Sequence, residues 1–191
     1  MRTVHFVTHP QVVVDAGRPV ERWHLSDEGI RRMRLLAVQA EAFGLRSVWA
    51  SAETKAIEAA GILAGRLGLP IQVRPALDEN DRSATGFLPP AEFERVADAF
   101  FARPTESVRG WERACDAQDR IATAVEAVLA EAPEGPLAIV AHGAVGTLLL
   151  CRLLGQPITR ERDQPFQGHH FAYTPADGQV LHGWRDIAPT D

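Results

Sequence analysis

Along this chain short apolar runs alternate with longer stretches in which apolar residues recur every three or four positions. Thr3–Thr8 is the first such run and reads as a strand; a loop carrying Pro10, Gly17 and Pro19 follows it. Ser26 then offers an oxygen to cap a helix, Asp27 and Glu28 put acid in the first turn, and Ile30, Met33, Leu36, Ala37 and Ala40 draw an apolar stripe that closes near Gly44. Arg46–Ala50 predicts a second strand, Glu53–Leu67 a second helix with Ile57, Ala60, Ala64 and Leu67 on one face before Gly68, and Ile71–Arg74 a third strand.

The middle of the chain breaks this rhythm. Pro89 and Pro90 precede the helical pattern AEFERVADAFFAR, Pro104 stops it, and a longer helix is predicted from about Glu112 to Ala132. The stretch of about 89–132 therefore reads as a helical insertion within one domain, and PTESVRGWERA as a helix-start loop positioned to act as a lid. Pro136–Ala141 is apolar without interruption, as expected of a strand covered on both faces, and Val145–Leu154 is the helix behind it. The final HHFAYTPADGQVLHGW reads as two strands around a turn.

Strands alternating with helices predict an α/β fold: a three-layer αβα sandwich around a mostly parallel sheet. In such sheets ligands bind outside the carboxyl ends of the strands. Those ends read Thr8-His9-Pro10, Ser51-Ala52-Glu53-Thr54-Lys55 and His142-Gly143-Ala144, with Glu79 after the third strand.

With 191 residues, 46% hydrophobic and 24% charged, the chain fits one globular domain. It opens without a basic leader or cleavage site and holds no apolar run of membrane-spanning length, so a cytoplasmic location and no membrane partner are expected. A net charge of -5 and scattered arginines argue against a nucleic-acid partner. Cys115 and Cys151 are expected to be buried thiols, and Trp49, Trp111 and Phe166 core or helix-contact residues. The His169-His170 pair has no metal-ligand spacing, and His169 is expected at a solvated strand edge; no metal and no cofactor are called for. Lys55 is the only lysine.

Two histidines, a lysine and a glutamate at strand exits are the parts of a phosphate site. A neutral imidazole can attack phosphorus, compact positive charge can hold the remaining oxygens, and a protonated carboxyl can serve the departing alcohol. The motifs of an α/β hydrolase (G-x-S-x-G), a dinucleotide fold (G-x-G-x-x-G), a P-loop and a zinc protease (H-E-x-x-H) are all missing.

Five segments in order, FVTHP, WHLSDEGIRR, VWASAETKAIEAA, LDENDR and IVAHGAVGTLLL, resemble those of the histidine phosphatases, or phosphoglycerate mutase-like proteins, over nearly the whole chain. The resemblance implies that His9 is the phosphorylated nucleophile, His142 a phosphate ligand and Glu79 the proton donor, in a metal-free reaction on a small phosphorylated substrate. It also exposes departures. Thr8 and Pro10 replace the arginine and glycine that flank the family's nucleophile, and Lys55 replaces a second arginine. Losing one preorganised donor of the Thr8 kind costs on the order of 100- to 1000-fold in rate. Lys55 keeps charge but not the bidentate fork. Arg82 and Arg18 are the candidates to fill the gap at Thr8. The reading is a phosphomonoester hydrolase, the alternatives being a phospho-ligand-binding protein weakened in catalysis and, less favoured, a mutase.

Overall fold

A computed structural model of the chain describes residues 2–190. Its centre is one six-stranded sheet in the order β3-β2-β4-β1-β5-β6, built from β1 (Val4–Thr8), β2 (Ser47–Ala50), β3 (Ile71–Val73), β4 (Leu137–Ala141), β5 (His169–Tyr173) and β6 (Val180–Asp186). The first four strands run parallel, while β5 lies antiparallel to β1 and β6 antiparallel to β5. The helices are α1 (Asp27–Gln39), α2 (Thr54–Leu67), α3 (Pro90–Ala102), α4 (Ala114–Glu131) and α5 (Gly143–Leu153).

Alternation along the central strands explains the layers. Phe6 and Ile139 point to one face, where they meet Ile121, Val125 and Val128 of α4 and Leu149 of α5. Val7 and Val140 point to the other, against Met33 and Leu36 of α1 and Ala60 and Leu63 of α2. With both faces covered, every residue of β4 is fully buried, which is why its sequence is apolar throughout. Of the segment 89–132, α4 is thus a sheet-covering helix, whereas α3 packs through Val96, Phe100 and Phe101 against Trp111, Ala117 of α4 and Leu148 of α5.

β1 and β4 are neighbours, yet β1 leads toward α1 on one face and β4 into α5 on the other. That divergence opens a crevice beyond their carboxyl ends, the place where this architecture binds ligands. Two devices shape the crevice. Ser26 Oγ accepts the Gly29 amide at 3.1 Å to start α1, and a Cβ at Gly29 would sit 2.2 Å from the Gln11 carbonyl, so only glycine lets the loop after β1 lie on this first turn. Arg32, fully buried, donates to the carbonyls of Gln167, Gly168 and Ala188, to Gln11 Oε1 and to the Asp186 carboxylate, tying that loop to the one before β5.

Three expectations are corrected by burial. Cys151 is buried, but Cys115 is half-exposed beside Asp116 on the first turn of α4. Phe166 is 44% exposed, because it sits in the loop before β5 and not inside the sandwich. His169 is only 3% exposed: β5 pairs on both sides, with β1 and β6, so there is no solvated edge for it to occupy.

Candidate active site

His9 directly follows β1, and its amide donates to the Ala141 carbonyl at 3.1 Å, which fastens it beside the end of β4. Its Nδ1 lies 2.9 Å from the Pro10 carbonyl. A carbonyl only accepts, so the proton sits on Nδ1 and Nε2 keeps its lone pair. Burial, helped by the nearby Lys55 ammonium, lowers the His9 pKa from 6.5 to about 4, so the imidazole is neutral near pH 7. Its ring meets that of His142 nearly edge-on, with centroids 5.2 Å apart.

His142, between β4 and α5, is fully buried. Burial holds its pKa well below 6.5, with Glu53 opposing and His9 and Lys55 adding to the depression. Nε2 pairs with Ser51 Oγ at 2.6 Å and lies 3.4 Å from Glu53 Oε1; Nδ1 has no protein partner. His142 thus stands beside His9 as a fully buried neighbour and does not itself border the cavity on which His9 opens.

Glu53 is the residue that the sequence reading passed over. It precedes α2 with its carboxylate turned inward, accepting the Glu79 amide at 3.0 Å and pairing with Lys55. Burial pushes its pKa upward, but His142, Lys55 and the hydrogen bonds it accepts outweigh that and bring it to about 2. Lys55 is 2% exposed and also donates to the Val20 carbonyl at 2.9 Å. The site's lysine is therefore locally neutralised.

Glu79 bridges to the start of α5: Oε2 accepts the Ala144 amide at 3.2 Å, and Oε1 the amides of Val145 at 3.1 Å and Asn80 at 3.2 Å. Burial raises its pKa above 4.5, Arg82 pulling it down and Glu53 adding to the rise. Arg82 has no carboxylate partner among the described residues; its guanidinium lies 5.1 Å from the Phe93 ring centre. Asn80 is buried with an unpartnered Nδ2.

The structure does not bring Thr8 or Arg18 to the site as ligands. Thr8 is fully buried and its hydroxyl is spent, accepting the His169 amide at 2.9 Å and donating to Gln164 Oε1 at 2.6 Å. Arg18 stays on the surface, paired with Asp15 at 3.2 Å. What the Thr8 hydroxyl does instead is fix the Gln164 amide. With Oε1 bound to Thr8, Nε2 faces the other way and reaches over Gly143, where a Cβ would come within 2.6 Å of it. That close approach explains the glycine after His142. Gln164, in a loop with no hydrophobic period, carried no signal in the sequence.

His9, Lys55, Glu79, Asn80, Arg82 and Gln164 all border one cavity of about 550 Å³, whose remaining wall is mostly apolar. Trp111, from the segment read as a lid, belongs to that wall. No group of residues suited to hold a metal ion is found among the described residues. No helix among them is long and apolar enough to cross a membrane.

Comparison with known proteins bears on the family and the fold. The family model described as histidine phosphatase superfamily (branch 1) matches residues 9–177. No curated protein matches the chain. Among solved structures, YhfR from Bacillus stearothermophilus is 22% identical, with a TM-score of 0.81 over 96% of this chain and 95% of that one. A mycobacterial glucosyl-3-phosphoglycerate phosphatase is 21% identical, with a TM-score of 0.76 over 97% and 96%. A phosphoserine phosphatase from Entamoeba histolytica, solved with phosphoserine, is 14% identical, with a TM-score of 0.74 over 98% of each chain.

Proposed function

This chain belongs to the histidine phosphatase superfamily, branch 1, and we propose that it is a phosphomonoester hydrolase that works through a phosphohistidine on His9. The observation that carries the reading is the state of His9: a neutral ring, its proton held on Nδ1 by the Pro10 carbonyl, bordering a cavity shared with Arg82, Lys55 and Glu79. The Nε2 lone pair bonds to phosphorus as the bond from phosphorus to the alcohol oxygen breaks, and the Glu79 carboxyl gives its proton to that oxygen. Water then attacks phosphorus, Glu79 takes back a proton, and the nitrogen–phosphorus bond breaks to release phosphate. Arg82 and Lys55 hold the other oxygens as charge develops, with Gln164 Nε2 in the place of a lost arginine donor, and the buried His142 ring positions His9 from beside it. The raised pKa of Glu79 suits a carboxyl that must carry a proton. The substrate is a small organic phosphate, and none of these steps uses a metal.

Incubation with an aryl phosphate tests this. Chelator-resistant turnover, an acid-labile phosphoryl group on His9, and loss of both in His9→Ala are expected. An adduct on any other residue would overturn the mechanism.

One observation favours a second reading. Glu53 neutralises Lys55 and Thr8 presents no donor, which leaves Arg82 as the unpaired cation of the site. A protein that binds phosphorylated ligands with little turnover fits that charge balance. Measurable phosphate binding without hydrolysis of any ester in a broad panel is its signature.

A further inference from the structure

The cavity that begins at His9 is far larger than a phosphate group, and its volume of about 550 Å³ falls in the range of pockets for whole organic ligands. Beyond the phosphate end its wall is aromatic: five of the chain's eight phenylalanines and two of its four tryptophans border it. Trp23 and Phe87 face one another across a tilted contact of 5.7 Å, and Phe93 meets Trp111 at 6.0 Å. Both indole N–H groups are already used, Trp23 toward the Asp15 carbonyl at 2.8 Å and Trp111 toward Thr85 Oγ1 at 2.8 Å, so neither adds a donor, and the buried Trp111, Phe100 and Phe101 back the wall from the core. At the mouth, Val14 and Phe166 stand 60% and 44% exposed, continuing the apolar wall outward.

The charged residues on the far wall are equally committed. Arg160 is paired with Glu94 at 2.5 Å and with Asp98, and Asp163 accepts the Thr147 hydroxyl at 2.9 Å. Asn80 Nδ2 and Gln164 Nε2 are free donors next to Glu79 and Gly143 at the phosphate end, and the Arg82 guanidinium lies 5.1 Å from the Phe93 ring centre, where that end meets the aromatic wall. An alcohol carrying its own carboxylate would face the carboxylates of Glu94 and Asp163 on the far wall, a like-charge pairing that disfavours it.

We infer that the preferred substrates are phosphate monoesters of an alcohol bearing a flat apolar ring system, seated against the aromatic wall, and not esters of hydroxy acids or amino acids. This rests on the phosphomonoesterase reading above.

The test compares 2-naphthylmethyl phosphate with glycerol phosphate, 3-phosphoglycerate and phosphoserine. All are esters of aliphatic alcohols, so the comparison reads binding of the alcohol and not the ease with which it leaves. A kcat/KM at least about 100-fold higher for the naphthylmethyl ester is expected. In Phe87→Ala, a half-buried wall position, the ratio of naphthylmethyl to glycerol ester should fall about 10-fold. Equal or better turnover of phosphoglycerate or phosphoserine overturns the substrate class and leaves the hydrolase reading standing. Calorimetry with the non-hydrolysable 2-naphthylmethylphosphonate separates the two ideas from the other side. Binding at least about 10-fold tighter than inorganic phosphate supports the aromatic site even if no ester turns over, an outcome that would sink the hydrolase reading alone. Binding no tighter than phosphate overturns the aromatic site.

Discussion

On the phosphohistidine reading, lowering the pH from 7 to 5 should leave the His9 nucleophile intact. An imidazole with the ordinary pKa of 6.5 would be only about 3% neutral at pH 5, whereas one at about 4 is about 90% neutral, so the structure predicts about 30-fold more competent His9 than an unperturbed histidine would supply. The cause is physical and local: burial penalises the imidazolium, and Lys55 adds like-charge repulsion. Burial raises the Glu79 pKa, so its carboxyl keeps a proton further up the pH scale than an ordinary glutamate and gains more of it as pH falls. Together the two groups place the optimum on the acid side of neutrality, with the falling acid limb near pH 4. The assay is a short pH-jump measurement of kcat/KM from pH 3.5 to 7.5, made before slower unfolding intervenes. Two esters that differ in their second phosphate ionisation identify which inflections belong to the substrate. An enzyme-borne acid limb near pH 6.5 would refute the reasoning, because it would mean that His9 is solvated in the working protein.

The same burial has a cost in stability. His5, His9 and His170 each fall from 6.5 to about 4 on folding, so the unfolded chain binds more protons between those values; the stability each contributes, about 3 kcal/mol, is whole above pH 6.5 and is lost as pH falls through 4. Urea midpoints at pH 7, 5.5 and 4.5 should fall steeply, and a flat profile counts against neutral buried imidazoles. Glu79→Gln should lower kcat by about 100- to 10,000-fold on an alkyl phosphate and far less on p-nitrophenyl phosphate, whose leaving group needs little protonation; equal losses on both would remove Glu79 from the acid role. Thr8→Val unfastens the Gln164 amide and should cost about 10-fold in kcat/KM, Thr8→Ser should restore most of it, and Gln164→Leu should cost about 100-fold; unchanged kinetics in Gln164→Leu would place the oxyanion donor elsewhere. Arg32→Met leaves the Asp186 carboxylate and the facing carbonyls without their donor and should destabilise the fold by about 3–5 kcal/mol in urea denaturation, which a loss under 1 kcal/mol would contradict.

The fold was legible because its signals are local. The uninterrupted run of β4 records burial on both faces, and Ser26 records the start of α1. His9 and His142 were legible for the same reason: each stands where an apolar run ends, and in a parallel sheet those ends converge. What escaped depended on side-chain direction or distant pairing. Glu53 and Lys55 are two residues apart, and nothing in that spacing says that both turn inward and neutralise each other. Thr8 and Gln164 are 156 positions apart, so the hydroxyl that looked like a weakened phosphate ligand could not be seen fastening an amide instead. Arg18 looked available because the loop after His9 is close in sequence, but Asp15 is closer in space.

Charge and shape in this cavity point the same way. A phosphate dianion entering it meets one unpaired guanidinium, a neutralised lysine, the neutral His9 imidazole and amides, while the Glu79 carboxyl occupies the first free N–H groups of α5. Such a cradle grips phosphate less firmly than one with further arginines. Weak attraction for the phosphate alone means that affinity has to come from the rest of the substrate, and energy gained there can be used to press the phosphorus against His9. Only the aromatic wall has the area to provide it. The replacement of arginine by Thr8 next to the nucleophile and the clustering of rings around the leaving group are, on this view, two sides of one arrangement: recognition has moved from the phosphoryl group to the alcohol. Free phosphate should then leave easily, and the ring that the substrate carries decides which esters are turned over.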